Sequence, residues 1–329
     1  MSAAGTTSPR RGLVLGAGGV LGAAWMIGAL AALPEARGWS AGEAEVIVGT
    51  SAGSVLTALL SSGVGVPTLV AHQRGERQPV DDPGAGIEFD HDRASGGALP
   101  PRPRLGIGST HLVANAVLHP RRLPLLAALS GLLPHGRGTL APIGELVRAA
   151  AGEEAPWPTA PQALIVAMDY DRGRRVAFGR PGAPPASLPD AVMASCSIPG
   201  WYAPMVIGGR RYVDGGTCSP TSLDLLASYR LDEVVVLAPL VSFDFDDPGS
   251  LVGKVERRFR RAMTRRVLHE SSKVRRGGTQ VTVLGPGRED LEAIGVNLMD
   301  PRRRLRVLDT SLRTSAAALA EAPTLSAAG

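Results

Sequence analysis

The first sixty residues set the strongest constraint on the fold. They hold two glycine-rich turns, each enclosed between a short apolar run and a stretch of helical spacing. Gly12-Leu13-Val14-Leu15 reads as a buried strand closed by glycines, and residues 21–33 read as a helix that stops before Pro34. Residues 45–48 read as a second buried strand, followed at 52–61 by small and apolar residues at helical spacing. Strand, glycine loop, helix, strand, sharp turn, helix is the alternation of a parallel sheet covered by helices. Two glycine loops that follow adjacent strands should meet at one edge of that sheet.

Further elements extend this pattern. Residues 163–168 read as a strand with a partner at 175–178, and 189–195 begin a helix. Residues 205–207 and 211–213 flank Gly208-Gly209 as a hairpin, and 233–237 and 280–284 are two more strands. Residues 81–109, with Gly-Ala-Gly, Ser-Gly-Gly and Pro100-Pro101-Arg102-Pro103, read as an irregular loop insertion. The leucine-rich stretch 112–133, broken by Pro120, Pro124 and Gly131, reads as a pair of short helices over the core, and more sharply as a lid over an apolar site. A chain of 329 residues can form one large domain. The expected limits are a domain over 11–315 between flexible tails at 1–10 and 316–329. With aromatics at only 4%, packing must rely on Val, Leu, Ile and Ala. Cys196 and Cys218 are too few for a disulfide framework or a zinc site, although a single bridge between them stays open. Each reads as a small buried residue, which fits a reducing compartment.

Charge is spread unevenly. Residues 254–276 carry ten Lys or Arg against Glu256 and Glu270, and Arg302, Arg303, Arg304 and Arg306 add four more. The remainder holds 21 basic and 28 acidic residues, although the whole chain is net +5. Val255, Phe259, Met263 and Val267 recur every four residues, so the basic stretch reads as an amphipathic helix. A basic stripe on an otherwise acidic protein suggests peripheral contact with an anionic membrane surface, and the plainer alternative is a solvated helix face. No nucleic-acid partner is expected. Residues 12–33 lack charge and follow Arg10-Arg11, as a signal peptide or membrane span would. Six glycines crowd that stretch, however, and resolve it into strand, turn and helix. The expectation is a cytoplasmic protein, peripheral at the membrane.

The chemistry centres on Gly49-Thr50-Ser51-Ala52-Gly53, a G-x-S-x-G nucleophile elbow with the strand before it and the helix after it that the motif requires. The flanking glycines lack a Cβ, so the chain can turn tightly and expose the Ser51 hydroxyl. The helix N-terminus places partial positive charge near the reacting oxygen. The alternative is that Ser51 merely caps the helix. Upstream, Gly16-Ala17-Gly18-Gly19-Val20-Leu21-Gly22 can turn several N–H groups towards one oxyanion. A phosphate-binding role fits it poorly. Leu21 stands where the tight dinucleotide pattern needs glycine, the second strand ends in Thr50 and Ser51 instead of an acid, and no Gly-Lys-Ser/Thr follows. The six histidines, His72, His91, His111, His119, His135 and His269, lack a setting at a strand end. Asp214, at the end of the apolar run Tyr212-Val213 and before Gly215-Gly216, is the better base. A partly buried carboxylate has its pKa raised and can accept a proton.

With these elements in place the sequence resembles the patatin-like phospholipase family. The matching stretches are GLVLGAGGVLGAAW (12–25), VIVGTSAGSV (46–55), ASCSIPGWYAPMVIGGRRYVDGG (194–216) and GVNLMDPRRR (295–304), in the family's order and spacing. The likeness runs from about residue 11 to about 315. It implies an α/β fold of three α/β/α layers with a mainly parallel central sheet. It also implies hydrolysis of fatty-acyl esters by a Ser51–Asp214 dyad without histidine, through an acyl-enzyme. The resemblance places the oxyanion donors at Gly18, Gly19 and Val20 and the motif glycines at Gly16, Gly22, Gly49, Gly53, Gly215 and Gly216. A lipid or acyl-ester substrate is implied, and neither metal nor organic cofactor. The family's loop carries Arg or Lys where this chain has Leu21, so a side-chain cation is missing there, while the backbone donors do not depend on it. Two other readings remain: a Ser-His-Asp esterase of another fold using His269, and a catalytically silent lipid-binding protein on the same scaffold.

Overall fold

Five strands with almost uninterrupted apolar sequences form the centre of the molecule, because such strands must be covered on both faces. The computed structural model describes residues 8–76, 103, 106–119, 123–152, 155–243, 251–322 and 324–325. Strands β1 (Arg11–Leu15), β2 (Val46–Thr50) and β3 (Gln162–Asp169) pair in parallel, with β2 in the middle. Antiparallel to β3 run β4 (Arg174–Phe178) and, from the hairpin of β5 (Met205–Ile207) and β6 (Arg210–Asp214), the second strand. On the other side of β1 lie β7 (Glu233–Leu237) and β8 (Gln280–Leu284), both parallel, and β9 (Thr324–Leu325) closes that edge antiparallel. The parallel order is therefore β3-β2-β1-β7-β8. The chain leaves β1 towards β2 and later returns to its other side, so the sheet has its topological switch point at β1, where α/β folds open a crevice at the carboxyl ends of the strands.

Helices cover both faces. On one side lie α1 (Gly19–Arg37), α2 (Ala52–Ser61) and α3 (Val66–Arg74). On the opposite side, over the carboxyl end of β3, lie α4 (Thr110–Leu118) and α5 (Leu125–Ser130), with Leu112 and Ala127 packed on Met168, Tyr170 and Val213. Helices α6 (Ala141–Ala151) and α7 (Leu188–Cys196) return to the first face, where Val147 and Val192 join Ile165 and Ala167. Helix α8 (Leu251–Arg275) covers the second face, and α9 (Arg288–Ile294) and α10 (Arg304–Glu321) the first. The alternation of β1 shows the division, with Leu13 and Leu15 in the α1–α10 core and Val14 in the α8 core. The result is the expected three-layer α/β/α arrangement.

Helix α1 is the one described helix long and apolar enough to cross a membrane. In the fold it is a core helix, with Leu21, Trp25, Met26 and Leu30 buried, as an all-round apolar helix should be. It runs through Pro34 instead of stopping before it. Pro34 falls in the last turn, where Gly38 in the left-handed conformation closes the helix by donating to the Pro34 carbonyl at 2.9 Å. The Arg37 guanidinium fixes that end to α10 through the Leu319 carbonyl, 2.9 Å away.

Ordered structure extends past both limits read in the sequence. Arg10, assigned to the N-terminal tail, is held by its N–H on Asp232 at 2.7 Å and by its ion pair with Glu45. Residues 316–321, assigned to the C-terminal tail, continue α10 and bury Leu319, and Thr324–Leu325 pair with β8. Most of the 81–109 insertion lies outside the described residues.

Helix α8 forms, but its apolar stripe is not its buried face. Val267 is buried, whereas Val255 is 70% and Phe259 36% exposed. Arg260, Thr264 and Glu270 face inward, because the helix docks on loop backbone that needs partners. Arg260 donates to the Pro239 carbonyl at 2.6 Å, Thr264 Oγ1 to the Ser242 carbonyl at 3.0 Å, and Glu270 accepts from Thr221 Oγ1 and the Leu223 N–H, both at 3.1 Å. Satisfying buried polar groups outweighs the four-residue apolar period.

Helices α1 and α10 touch at Gly28, where a Cβ would lie 2.6 Å from the Ser311 Cβ, and Ser311 Oγ donates to the Trp25 carbonyl at 2.7 Å. Gly28→Val should therefore lower the unfolding free energy in urea by about 1–3 kcal/mol through overpacking. Unchanged stability would show that the two helices are not so closely apposed.

Candidate active site

The site is created by strand register. Residues Ile165 and Val166 of β3 pair with both β2 and β4, so those strands lie on opposite edges of β3. Residues Ala167, Met168 and Asp169 pair with both β4 and β6, so β6 also lies opposite β4. Strands β2 and β6 therefore share one edge of β3 and approach it from opposite directions. Thr50, the last residue of β2, is opposite Val166, and Asp214, the last of β6, is opposite Ala167. Ser51 and Asp214, far apart in sequence, meet where the two strands end.

Ser51 turns sharply at that point, with φ 54°, a left-handed value costly for any side chain other than glycine. Its N–H donates to Ser195 Oγ at 2.9 Å, and the Ser195 hydroxyl donates to the Val166 carbonyl at 2.6 Å. The carbonyl at the β2–β6 junction thus holds the turn through one side chain. The start of α2 lies directly over the end of β1, since a Cβ on Gly53 would stand 2.0 Å from the Leu15 carbonyl oxygen. No residue with a side chain fits there. The Ser51 side chain does not cap the helix and instead interacts with Asp214.

Asp214 is buried, and its Oδ1 accepts the Gly216 N–H at 2.7 Å. Burial pushes its carboxyl up to about 6, against the opposing pull of hydrogen bonds from Ser51 and from the Gly216 N–H. The Gly215-Gly216 turn lies against the glycine loop, because a Cβ on Gly216 would be 3.2 Å from that of Ala17.

The loop Gly16–Gly22 crosses the end of β1 beside this pair. Its N–H groups divide into two sets. Those of Gly16, Ala17, Leu21 and Gly22 donate to the carbonyls of Leu237, Pro220, Leu298 and Gly18, at 2.8–3.0 Å. Those of Gly18, Gly19 and Val20 have no acceptor among the described residues, although a helix N-terminus is their setting. Pro239 packs against Gly18 and Gly22 from behind. Leu21, where a basic side chain was noted as missing, is fully buried in the α1 core, so that position faces the interior and not the site.

An apolar cavity reaches Ser51. Val20, Val55, Leu59, Leu69, Ile143 and Met299 are in its wall, and no Asp, Glu, Lys or Arg among the described residues lines it. His72, on α3, is the one described histidine in this wall. His269 is exposed on α8, across the sheet, so the triad reading based on it has no geometry behind it. His91 lies outside the described residues. Cys196 and Cys218 are free thiols, and burial pushes them up to about 12 and about 11. Both are therefore neutral and poorly nucleophilic.

Sequence reasoning missed Ser195, Pro239 and His72. Ser195 lay within the quoted stretch ASCSIPG, but nothing local marks it as the support of a turn 144 positions earlier. The other two act only through the packing of the loop and the cavity.

The patatin family, described as patatin-like phospholipase, matches residues 13–227. Among solved structures, VipD from Legionella pneumophila is 14% identical, with 97% of this chain and 68% of that chain covered and a TM-score of 0.43. The type III effector protein ExoU is 17% identical, with 94% and 53% covered and a TM-score of 0.36, so this chain spans about half of it. A search of curated proteins gives no match.

The strained backbone at Ser51 can be relieved without disturbing its neighbours. Ser51→Gly should raise stability by about 1 kcal/mol in denaturant unfolding, whereas Ser51→Ala, which keeps the Cβ, should stay within about 0.5 kcal/mol of the parent. Equal effects of the two substitutions would show that the turn is unstrained.

Proposed function

The chain belongs to the patatin-like phospholipase family, a family of lipid acyl hydrolases, and from that premise we propose that it cleaves fatty-acyl esters by a Ser51–Asp214 dyad. The observation that carries the proposal is the meeting of β2 and β6 on one edge of β3, which sets the strained Ser51 turn, in the cavity wall, against a buried carboxylate. Ser51 Oγ attacks the ester carbonyl as Asp214 takes its proton. The N–H groups of Gly18, Gly19 and Val20 donate hydrogen bonds to the oxyanion of the tetrahedral intermediate. Its collapse expels the alcohol, which leaves with the proton from Asp214, and an acyl-Ser51 ester remains. Water then gives a proton to Asp214 and attacks the acyl carbonyl. The fatty acid leaves, and the proton returns to Ser51 Oγ.

The uncharged cavity supports an acyl chain as the part of the substrate held inside, with the head group at the rim. No step calls for a metal or organic cofactor. Lys254, Arg258 and Arg265, among the exposed cations of α8, are our candidates for peripheral contact with anionic lipid, on a protein we place in the cytoplasm. Arg260 and Arg266 do not belong to that set, since they pair with Glu256 and Glu270.

Hydrolysis of p-nitrophenyl esters of graded chain length tests the reaction. Ser51→Ala and Asp214→Asn should each lower kcat/KM by about 1,000-fold or more, and full activity in folded Ser51→Ala would refute the dyad. Because Asp214 must be ionised, kcat/KM should fall about tenfold per unit below an apparent pKa near 6. An acid limb near 4 would mean that the base is not this buried group.

The same shift makes a statement about stability. The folded-state value lies above the ordinary 3.8, so the protonated form favours folding at low pH and that contribution is lost as pH rises through about 6. Asp214→Asn should therefore be more stable than the parent at pH 7, by up to about 3 kcal/mol, with the gap closing towards pH 4. A constant gap in urea titrations across this range would contradict the assignment.

A further inference from the structure

More than half of the large apolar side chains exposed among the described residues lie in one short part of the chain, between Ile107 and Leu133. Val117 and Leu118 end α4 at 75% and 72% exposure, and Leu125 and Leu129, one turn apart on α5, are 74% and 48% exposed. Leu132 and Leu133 continue the patch at 52% and 44%. The usual arrangement of a surface helix is inverted here. The inward positions Leu112 and Ala127 are few, and the hairpin is held at its base by polar bonds. Ser109 Oγ donates to Asp171 at 2.8 Å, Tyr170 OH to the Ser130 carbonyl at 2.9 Å, and Asn115 Nδ2 to the Arg172 carbonyl at 3.2 Å. Such anchoring fixes the outward leucines in place without covering them.

The position of this patch is informative. Helix α5 packs on the Gly215–Thr217 turn that follows Asp214. From Leu133 the chain crosses the end of the sheet, where the Gly138 N–H donates to the Trp201 carbonyl at 2.9 Å, and reaches Leu140, which lies in the cavity wall with Tyr202. The exposed leucines are therefore continuous, along the chain, with the cavity at Ser51. On the other flank of the 215–223 stretch lies α8, whose inner residues bond Pro239 and Thr221 and whose outer residues include Lys254, Arg258 and the exposed Val255 and Phe259. An apolar surface joined through residues 133–140 to the wall of an apolar cavity, and flanked by cations, is complementary to the interface of an anionic bilayer.

We propose that the outward face of α4 and α5, with the Leu132-Leu133 turn, is the surface by which this protein seats itself on a lipid interface, the leucines entering the acyl layer so that a chain passes into the cavity without crossing water. The proposal rests on the acyl-hydrolase reading of the site. It differs from the α8 contact in being apolar and so insensitive to salt.

The test compares the parent, Leu125→Asp/Leu129→Asp, Leu118→Asp and Ser51→Ala. It uses vesicles of phosphatidylcholine with about 30% phosphatidylglycerol, at low and high salt. The leucine variants should lose about tenfold or more of vesicle-bound protein at both salt concentrations. They should lose as much of their hydrolysis of vesicle phospholipid, while turnover of soluble p-nitrophenyl butyrate stays at the parent's level and shows that they are folded. Ser51→Ala should bind vesicles as the parent does. Unchanged vesicle binding in both leucine variants would overturn the proposal, as would binding that high salt abolishes in the parent. A parent that is dimeric in solution, with monomeric leucine variants that bind vesicles normally, would overturn it in favour of a self-association surface. If the parent binds through these leucines but cleaves neither substrate, the docking surface stands and the hydrolase reading falls.

Discussion

One edge of β3 serves two strands, and the site depends on that sharing. A strand edge in a parallel sheet is normally occupied by a single neighbour along its length. Here β2 stops at Val166 and β6 takes over at Ala167 from the opposite direction. The junction leaves the Val166 carbonyl with a side-chain hydroxyl, Ser195, as its partner, and that hydroxyl in turn accepts the N–H of Ser51. A buried backbone acceptor must find a donor. The way it does so here also fixes the orientation of the reactive turn. Replacing β6 by a longer β2 would complete the ladder and remove the site.

The neighbouring glycine loop follows from the same topology. Because β1 is the switch point, the loop after it lies between the ends of β2 and β7, and its outer N–H groups are consumed on the β7 side by Leu237 and Pro220. The three N–H groups in the middle, of Gly18, Gly19 and Val20, have no acceptor among the described residues. In the proposed mechanism, backbone donors held in this way need no reorganisation when an oxyanion forms, and no side-chain cation at position 21 is called for. Leu21 lies in the α1 core, where a charge would have to be buried.

Much of this was legible in the residues. The five parallel strands are apolar runs between glycines or acids, and each was placed within a residue or two. Ser51 and Asp214 were readable because each is a polar residue at the end of such a run, flanked by glycines. What was not legible depends on tertiary partners. Helix α8 has a four-residue apolar period, yet it buries Arg260 and Glu270, because the loops beneath it present carbonyls and N–H groups that only polar side chains can satisfy. Pro34 looked like a stop, but the Gly38 cap and Arg37 hold the turn beyond it. Composition likewise cannot separate α1 from α5. Both are rich in Leu and Ala, and only the packing shows one enclosed and the other turned outward.

The polarity of the site argues for the dyad itself. A histidine base would need a carboxylate partner for its imidazolium, and the described wall, which holds His72, carries no Asp or Glu. A lone buried carboxylate needs no such partner. Its ionisation is disfavoured by burial and assisted by two hydrogen bonds, one of them from the Ser51 side chain, the proton donor in the proposed dyad. The two effects leave it near 6, basic enough to accept a proton during attack and acidic enough to be ionised at neutral pH. Stronger burial would leave the acid protonated, and more donors would leave it too weak a base. In the proposed dyad the Gly216 N–H and the Ser51 hydroxyl oppose the effect of burial, so the Asp-Gly-Gly turn would bear on the strength of the base as well as its position.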